Sequence, residues 1–158
     1  MENTGNRILV TWERLSRAGA LGKWVFSASL KYFAPYSASI QASVYELRAG
    51  YAKVAMKDRR SLHGPFRSLH AMTLANLGEL TSGLAFYSGL PSDSRGIVVG
   101  FRIEFFKKAR GLVTAETDCS PPNSNKEATY EVECVLRNTA EETVAKTMAT
   151  WKISPKPA

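Results

Sequence analysis

Between Arg67 and Asp93 the sequence runs for twenty-five residues with a single formal charge, that of Glu79. Apolar and small residues fill most of this stretch, without the polar side that a surface helix presents. The pattern predicts a helix that is buried on all sides within a domain. A carboxylate in such a helix costs several kcal/mol unless it is neutralised, hydrogen-bonded or open to a cleft. Glu79 is therefore either a structural acid with dedicated partners or a functional one.

The composition is that of one globular domain. A chain of 158 residues, of which 44% are hydrophobic and 22% charged, is long enough to bury a core without disulfide bridges. We expect a cytoplasmic protein, because no run of about 18 apolar residues predicts a membrane span and the first residues do not resemble a secretory signal. Cys119 and Cys134 lack the spacing of metal ligands, so no metal site is expected, and Cys134 is predicted to be a small core residue.

The net charge of +7 is concentrated in one segment. Residues 51–110 contain ten basic and four acidic residues, which gives this segment a charge of +6. The excess favours an anionic partner, such as a phosphate-bearing ligand, a nucleic acid or a membrane surface, although a solvated basic face is an equally ordinary outcome. The chain has neither interleaved aromatic and basic residues nor helix-turn-helix spacing, so nucleic acid is not an expected partner.

The first third of the chain is predicted to be helical. Apolar residues recur at helical spacing over residues 6–18, and Gly19 and Gly22 are expected to interrupt that helix. A second helical or irregular segment then runs to Pro35. Trp12, Trp24 and Trp151 are most simply interpreted as core or interface residues.

Strands are predicted on both sides of the buried helix. Two precede it and are joined by a glycine-containing turn, and four follow it, which we expect to form a meander. The predicted strands cover residues 39–47, 51–56, 97–106, 112–118, 130–136 and 145–153. A strongly curved antiparallel sheet wrapped around the one buried helix is the economical way to cover that helix on every side.

This layout, together with the segment Leu69-His-Ala-Met-Thr-Leu-Ala-Asn-Leu-Gly-Glu-Leu80, resembles the hotdog-fold thioesterases. The likeness is greatest to the phenylacetate-degradation branch and its relatives known only as a domain of unknown function. Supporting it are the segments Lys107-Lys-Ala-Arg-Gly111 and Trp151-Lys-Ile-Ser-Pro155. The resemblance implies an α+β hotdog fold, in which a curved antiparallel sheet surrounds one long central helix. Residues 1–36 would form an N-terminal helical extension and residues 37–158 the hotdog domain.

The resemblance also implies an acyl-coenzyme A thioesterase and its site residues. In that branch a His-Gly pair opens the central helix and an acidic residue follows nine positions after the histidine, which matches His70 and Glu79. The amide after the histidine polarises the thioester carbonyl, a role that falls to Ala71, and the acid acts as nucleophile or as general base for water. The chain departs from the pattern where Ala71 replaces glycine and where Gly64, next to His63, replaces an asparagine.

Helix geometry adds a condition of its own. Nine helical steps turn about 900° and rise about 13.5 Å, so His70 and Glu79 cannot share one site within one chain. If both act, each meets its counterpart from another subunit, which predicts a homodimer or a tetramer built from dimers. Asn76, one turn before Glu79, is a candidate for orienting its carboxylate or the water. His70 has the alternative of simply capping the helix.

Substrate binding is predicted for two groups of residues. Lys107, Lys108 and Arg110 follow a strand, where they would hold the phosphates of coenzyme A at the mouth of the site. His63 and Gly64 lie in the loop before the helix. No cofactor is expected, since coenzyme A enters as part of the substrate. The alternative function is a non-catalytic hotdog module that binds acyl groups or acyl-coenzyme A, motivated by the two departures from the family pattern.

Overall fold

The computed structural model describes residues 7–156 as four helices and one six-stranded sheet. The helices are α1 (Arg7–Ser16), α2 (Gly19–Phe33), α3 (Pro35–Ala38) and α4 (Ala71–Gly89), with one 3-10 turn at Arg60–Leu62. The strands are β1 (Ser43–Arg48), β2 (Tyr51–Met56), β3 (Ser94–Phe105), β4 (Val113–Asp118), β5 (Ala128–Arg137) and β6 (Thr143–Pro155).

The central helix α4 confirms the prediction of a buried helix. Twelve of its nineteen residues are buried, and they include the polar Asn76, Thr81 and Ser82. The helix packs against β1, β2, β4, β5 and β6, and α1 and α3 also contact it. The antiparallel sheet therefore wraps around α4 as the resemblance implied.

The order of the strands corrects the predicted meander. β4, β5 and β6 are neighbours in sequence order, but β3 pairs with β6 at the far edge of the sheet and not with β4. The β3–β6 pairing runs from Ser94 opposite Pro155 to Phe105 opposite Ala145. Alternation of apolar residues identifies a strand but carries no information about its neighbour, which depends on long-range packing.

Two predictions near the N-terminus were wrong in detail. Gly22 does not interrupt a helix but lies inside α2, where a Cβ atom would come within 1.7 Å of the Leu15 carbonyl oxygen, so it allows α1 and α2 to pack closely. The first strand begins at Ser43 and not at residue 39, because α3 and a turn through Gln41, with φ of 49°, occupy the preceding residues. Residue 6 of the predicted first helix lies outside the described residues.

The cysteines have the environment of core thiols. Cys134 is fully buried, which confirms its prediction as a core residue, and burial raises its pKa to about 12. Burial also raises the pKa of Cys119 to about 11. Both therefore stay protonated near neutral pH and are poor nucleophiles.

No helix within residues 7–156 is both long and apolar enough to cross a membrane.

The two edges of the sheet differ in how they are covered. At the β1 edge, α2 supplies hydrogen bonds: the Lys23 ammonium donates to the Tyr45 carbonyl at 2.8 Å, and the Ser27 hydroxyl accepts from the Val44 amide at 2.9 Å. At the other edge, β3 carries large apolar side chains that are exposed in the single chain, namely Ile97, Val99, Phe101 and Phe105. An exposed apolar edge strand is a surface suited to pairing with another chain.

Gly78 marks a close approach of α4 to β6 and gives a test of the packing. A Cβ atom there would lie 2.5 Å from Cγ2 and 2.6 Å from Oγ1 of Thr147. In Gly83→Ala, on the same helix, the added Cβ would meet only the far edge of the Trp151 ring at 3.3 Å. Since both variants gain the same helix propensity, we expect urea unfolding to show Gly78→Ala less stable than Gly83→Ala by about 1–3 kcal/mol. Equal stabilities would contradict this packing.

Candidate active site

A pocket of about 420 Å³ lies at the N-terminal end of α4. Its lining includes five of the predicted site residues: Gly64, His70, Ala71, Lys107 and Lys108. The pocket forms because the loop before α4 is held to the segment after β3. The Leu69 amide donates to the Ala109 carbonyl at 2.9 Å. Residues that are forty positions apart in sequence thus come together within one chain.

The backbone at the start of α4, which lines this pocket, has one N–H donor without an acceptor among the described residues. The first N–H groups of a helix have no acceptor one turn earlier. Here the His70 amide donates to the Leu62 carbonyl at 2.8 Å, the Met72 amide to His70 Nδ1 at 3.0 Å, and the Thr73 amide to the His70 carbonyl at 3.0 Å. Among the described residues, the Ala71 amide is left without an acceptor. It lies at the positive end of the helix dipole, where a developing oxyanion is stabilised.

His70 caps the start of α4, which was the alternative to a direct chemical role. Its Nδ1 accepts from the Met72 amide, so in the neutral ring the proton is on Nε2. The side chain itself is exposed at the pocket. Capping fixes the orientation of the first turn and hence of the Ala71 amide.

Glu79 lies about two and a half turns further along α4, away from this pocket. Its side chain is half-buried beneath α3, where the Ser37 hydroxyl donates to Oε2 at 3.4 Å. Burial raises the pKa of Glu79, and the Ser37 hydrogen bond lowers it by less. An acid that is desolvated without a compensating cation is the kind of group that serves as a base near neutral pH.

The Asn76 side chain is hydrogen-bonded to α3 and, among the described residues, not to the Glu79 carboxylate. Its Nδ2 donates to the Tyr36 carbonyl at 3.3 Å, which ties α3 to the central helix next to Glu79. The Asn76 Oδ1 is buried without a hydrogen-bond partner among the residues that the structure describes. Buried amide oxygens of this kind usually find a donor, so this atom is suited to a water or a ligand group.

His63 and its neighbours form a second opening beside the first. The His63 ring is hydrogen-bonded to Asp58, whose other oxygen accepts from the Gly111 amide at 2.9 Å. The hydrogen bond from His63 is the main cause that holds the pKa of Asp58 below its usual range. The opening, of about 620 Å³, is lined by Arg60, His63, Gly64 and Arg67. His63 therefore stabilises the loop before α4 through its bond to Asp58, while Arg60 and Arg67 make the opening basic.

The three predicted basic residues differ in their freedom to bind a ligand. Lys107 pairs with Glu142, and Arg110 donates to a loop carbonyl at 3.1 Å. The Lys108 ammonium lies 5.5 Å from the centre of the Phe66 ring and forms no ion pair within the described part of the chain. Lys108 is thus the freest cation of the three.

Sequence reasoning missed the aromatic lining of the pocket and the cover over Glu79. Phe66, Phe105 and Phe106 line the pocket and are 71%, 48% and 53% exposed. A signal existed for two of them, since an aromatic pair directly precedes Lys107 and Lys108. Ser37 had no such signal, because forty-two positions separate it from Glu79.

Family and structural comparisons agree with this architecture. A family model described as Domain of unknown function (DUF4442) matches residues 22–153. The chain belongs to the DUF4442 family. Comparison with curated proteins gave no match.

Solved structures similar to this DUF4442 chain share its fold over most of their length. The crystal structure of a genomics target, APC5556, is 30% identical, with a TM-score of 0.81 over 94% of this chain and 99% of that one. A Pseudomonas aeruginosa protein of unknown function, described as a probable thioesterase, is 20% identical, with a TM-score of 0.73 over 84% and 95%. A variant of a thioesterase enzyme from Staphylococcus aureus is 18% identical, with a TM-score of 0.66 over 74% and 96%.

These comparisons confirm the hotdog fold and the resemblance to the hotdog thioesterases. Likeness at such low identity concerns the fold, since one fold supports many activities. The narrower assignment to the phenylacetate-degradation branch stays a prediction, as does the division of the chain at residue 36.

Proposed function

We propose that this DUF4442 protein hydrolyses acyl-coenzyme A or a related thioester at a site shared between two subunits. The observation that carries the proposal is the Ala71 amide, which lacks an acceptor among the described residues and lies at the pocket end of α4. The half-buried Glu79, whose pKa is raised by burial, supplies the second element. The basic surroundings of the pocket favour a substrate that carries phosphates.

In the proposed reaction the thioester carbonyl oxygen accepts the Ala71 hydrogen bond. Glu79 of the partner subunit either takes a proton from water, whose oxygen then adds to the carbonyl carbon, or adds to that carbon directly. Negative charge develops on the carbonyl oxygen, next to the positive helix end. Collapse breaks the carbon–sulfur bond, and the coenzyme A thiolate leaves and is protonated. In the second route, water then hydrolyses the acyl-enzyme. The products are a carboxylate and a free thiol.

Two observations support the proposed dimer, namely the separation of the two groups and the open sheet edge. Because Glu79 cannot reach the pocket of its own chain, the proposed site needs a second copy. The exposed apolar side chains of β3 support a contact at that edge, whereas α2 already covers the β1 edge. A homodimer with two identical sites results, and pairs of dimers would give a tetramer. The cytoplasm stays the expected location.

Lys108→Gln tests the phosphate contact. We expect a several-fold higher KM for acyl-coenzyme A with little change in kcat, since the lost charge acts on binding and not on the reacting atoms. Lys107→Gln is the matched control, because Lys107 is already paired with Glu142. A fall in kcat with unchanged KM would contradict the assignment.

The direct test of the proposed function is release of free thiol from a panel of acyl-coenzyme A substrates, from short to long chains, without added metal or cofactor. Turnover of at least one member that depends on Glu79 is the expected result. A pure dimer that hydrolyses none of them, with Glu79→Gln indistinguishable from the parent, would refute it.

A second candidate is a non-catalytic module that binds acyl groups or acyl-coenzyme A. It is favoured by Gly64 and Ala71, the two positions where the chain departs from the pattern of the phenylacetate-degradation branch. A Cβ atom at Gly64 would make ordinary contact with the His70 ring at 3.4 Å, so the backbone there leaves room for the Cβ of a residue other than glycine. A rise in melting temperature with acyl-coenzyme A, without turnover, would favour this candidate.

A further inference from the structure

The outer face of α2 is apolar and exposed, although its inner face already packs on the core. Leu21, Trp24, Val25 and Tyr32 are 68%, 66%, 39% and 77% exposed. At 100° per residue they fall within about 100° of the helix circumference, so they form one continuous stripe. We call these four residues the α2 stripe. A soluble domain rarely leaves such a face open unless it contacts something.

The helix that carries the α2 stripe has two basic residues and no acidic one. Between Glu13 and Glu46 the sequence has no acidic residue and four basic ones, namely Arg14, Arg17, Lys23 and Lys31. The Lys31 ammonium lies 5.0 Å from the centre of the Tyr32 ring, at the border of the stripe. Two copies of the chain that met through this face would bring their Lys31 side chains together with no acidic residue on α2 to pair with them, which disfavours self-association. A partner with an apolar interior and negative charges on its surface would match both the apolar side chains of the stripe and the cation at its border.

We propose that the α2 stripe binds the surface of an anionic lipid membrane. Trp24 and Tyr32 have rings that favour the boundary between headgroups and acyl chains, and Leu21 and Val25 add apolar area. Lys31 keeps its charge at the level of the lipid phosphates while its stem lies along the apolar face. The contact is peripheral and needs no spanning helix.

The chain carries its own probe for this contact. Of its three tryptophans, Trp12 and Trp151 are 5% and 3% exposed, so a change in emission on adding vesicles reports Trp24. With vesicles of phosphatidylcholine and phosphatidylglycerol we expect a blue shift of the emission and co-sedimentation. Both should weaken in high salt and be much smaller with phosphatidylcholine alone.

Substitutions separate the stripe from other surfaces. Trp24→Ser combined with Tyr32→Ser should reduce co-sedimentation about tenfold or more, whereas Trp24→Phe should keep binding and lose the optical signal. Tyr45→Ser, at a half-exposed aromatic on β1, should bind as the parent does. Failure of the parent to bind anionic vesicles, or equal binding by the double variant, would overturn the proposal. If the double variant instead loses oligomer mass and the parent binds no vesicles, the stripe is a contact between copies of the chain.

Discussion

Glu79→Gln is expected to lower kcat for thioester hydrolysis about 100-fold or more, because it removes the proposed base or nucleophile while keeping the size of the side chain. Thiol release at saturating substrate measures the effect. Binding of acyl-coenzyme A should change little, since the pocket at the start of α4 is untouched. A variant with more than half of the parent's activity would contradict a chemical role.

The melting temperature of Glu79→Gln distinguishes a chemical role of Glu79 from a structural one. Burial raises the pKa of Glu79, so the folded chain binds more protons than the unfolded one between the two pKa values, and stability falls as pH rises through that interval. Above the interval the parent carries a desolvated carboxylate, which glutamine does not. Glu79→Gln should therefore melt at the same or a higher temperature at neutral pH. A lower melting temperature together with lost activity would indicate a structural acid.

The pH dependence of kcat gives a second test of Glu79, with Ser37→Ala as the comparison variant. The acid limb of kcat should lie above the ordinary pKa of glutamate, because only ionised Glu79 acts. Ser37 donates a hydrogen bond that lowers this pKa, so Ser37→Ala should move the limb to still higher pH. An unchanged limb in Ser37→Ala would mean that another group sets the profile.

Ala71→Pro has the second large expected effect. Proline at the first helical position lacks only an N–H that has no acceptor within the helix, and its φ suits that position. The preceding residue, His70, already has ψ of 144°, the extended conformation that proline favours before it. The helix should therefore persist while the proposed oxyanion donor disappears. We expect kcat to fall about 10²–10³-fold with nearly unchanged melting temperature.

Ala71→Gly is the control for Ala71→Pro. It keeps the N–H and restores the residue usual in the resembling branch, so activity should be retained or increased. Equal activity in the proline and glycine variants would show that the Ala71 amide plays no part in the reaction.

Most of the fold was predictable because it depends on periodic patterns. The run from Leu69 to Tyr87, almost free of charge, indicated a helix buried on all sides, and the structure confirms α4. Alternation located the strands, but it did not reveal that β3 pairs with β6, since pairing is decided by packing across the whole sheet. The prediction that Gly22 interrupts a helix was wrong because the close contact between Gly22 and Leu15 depends on how α1 packs against α2.

The candidate site was predictable only in part. Spacing along a helix showed that His70 and Glu79 must lie apart, and the structure places them in separate surroundings. The contact of Ser37 with Glu79 and the bond of His63 to Asp58 depend on loop and helix positions that no local pattern encodes. Sequence could therefore propose the residues but not their partners.

A site shared between subunits can be tested by mixing two inactive variants. Ala71→Pro and Glu79→Gln are each expected to be inactive alone, for unrelated reasons. After unfolding and refolding together in equal amounts, half of the dimers contain one chain of each kind. Each such dimer has one site with an intact Ala71 amide and an intact Glu79, so activity should return to about one quarter of the parent's. If the mixture stays as inactive as its components, although mass spectrometry shows mixed dimers, the two groups do not meet across subunits.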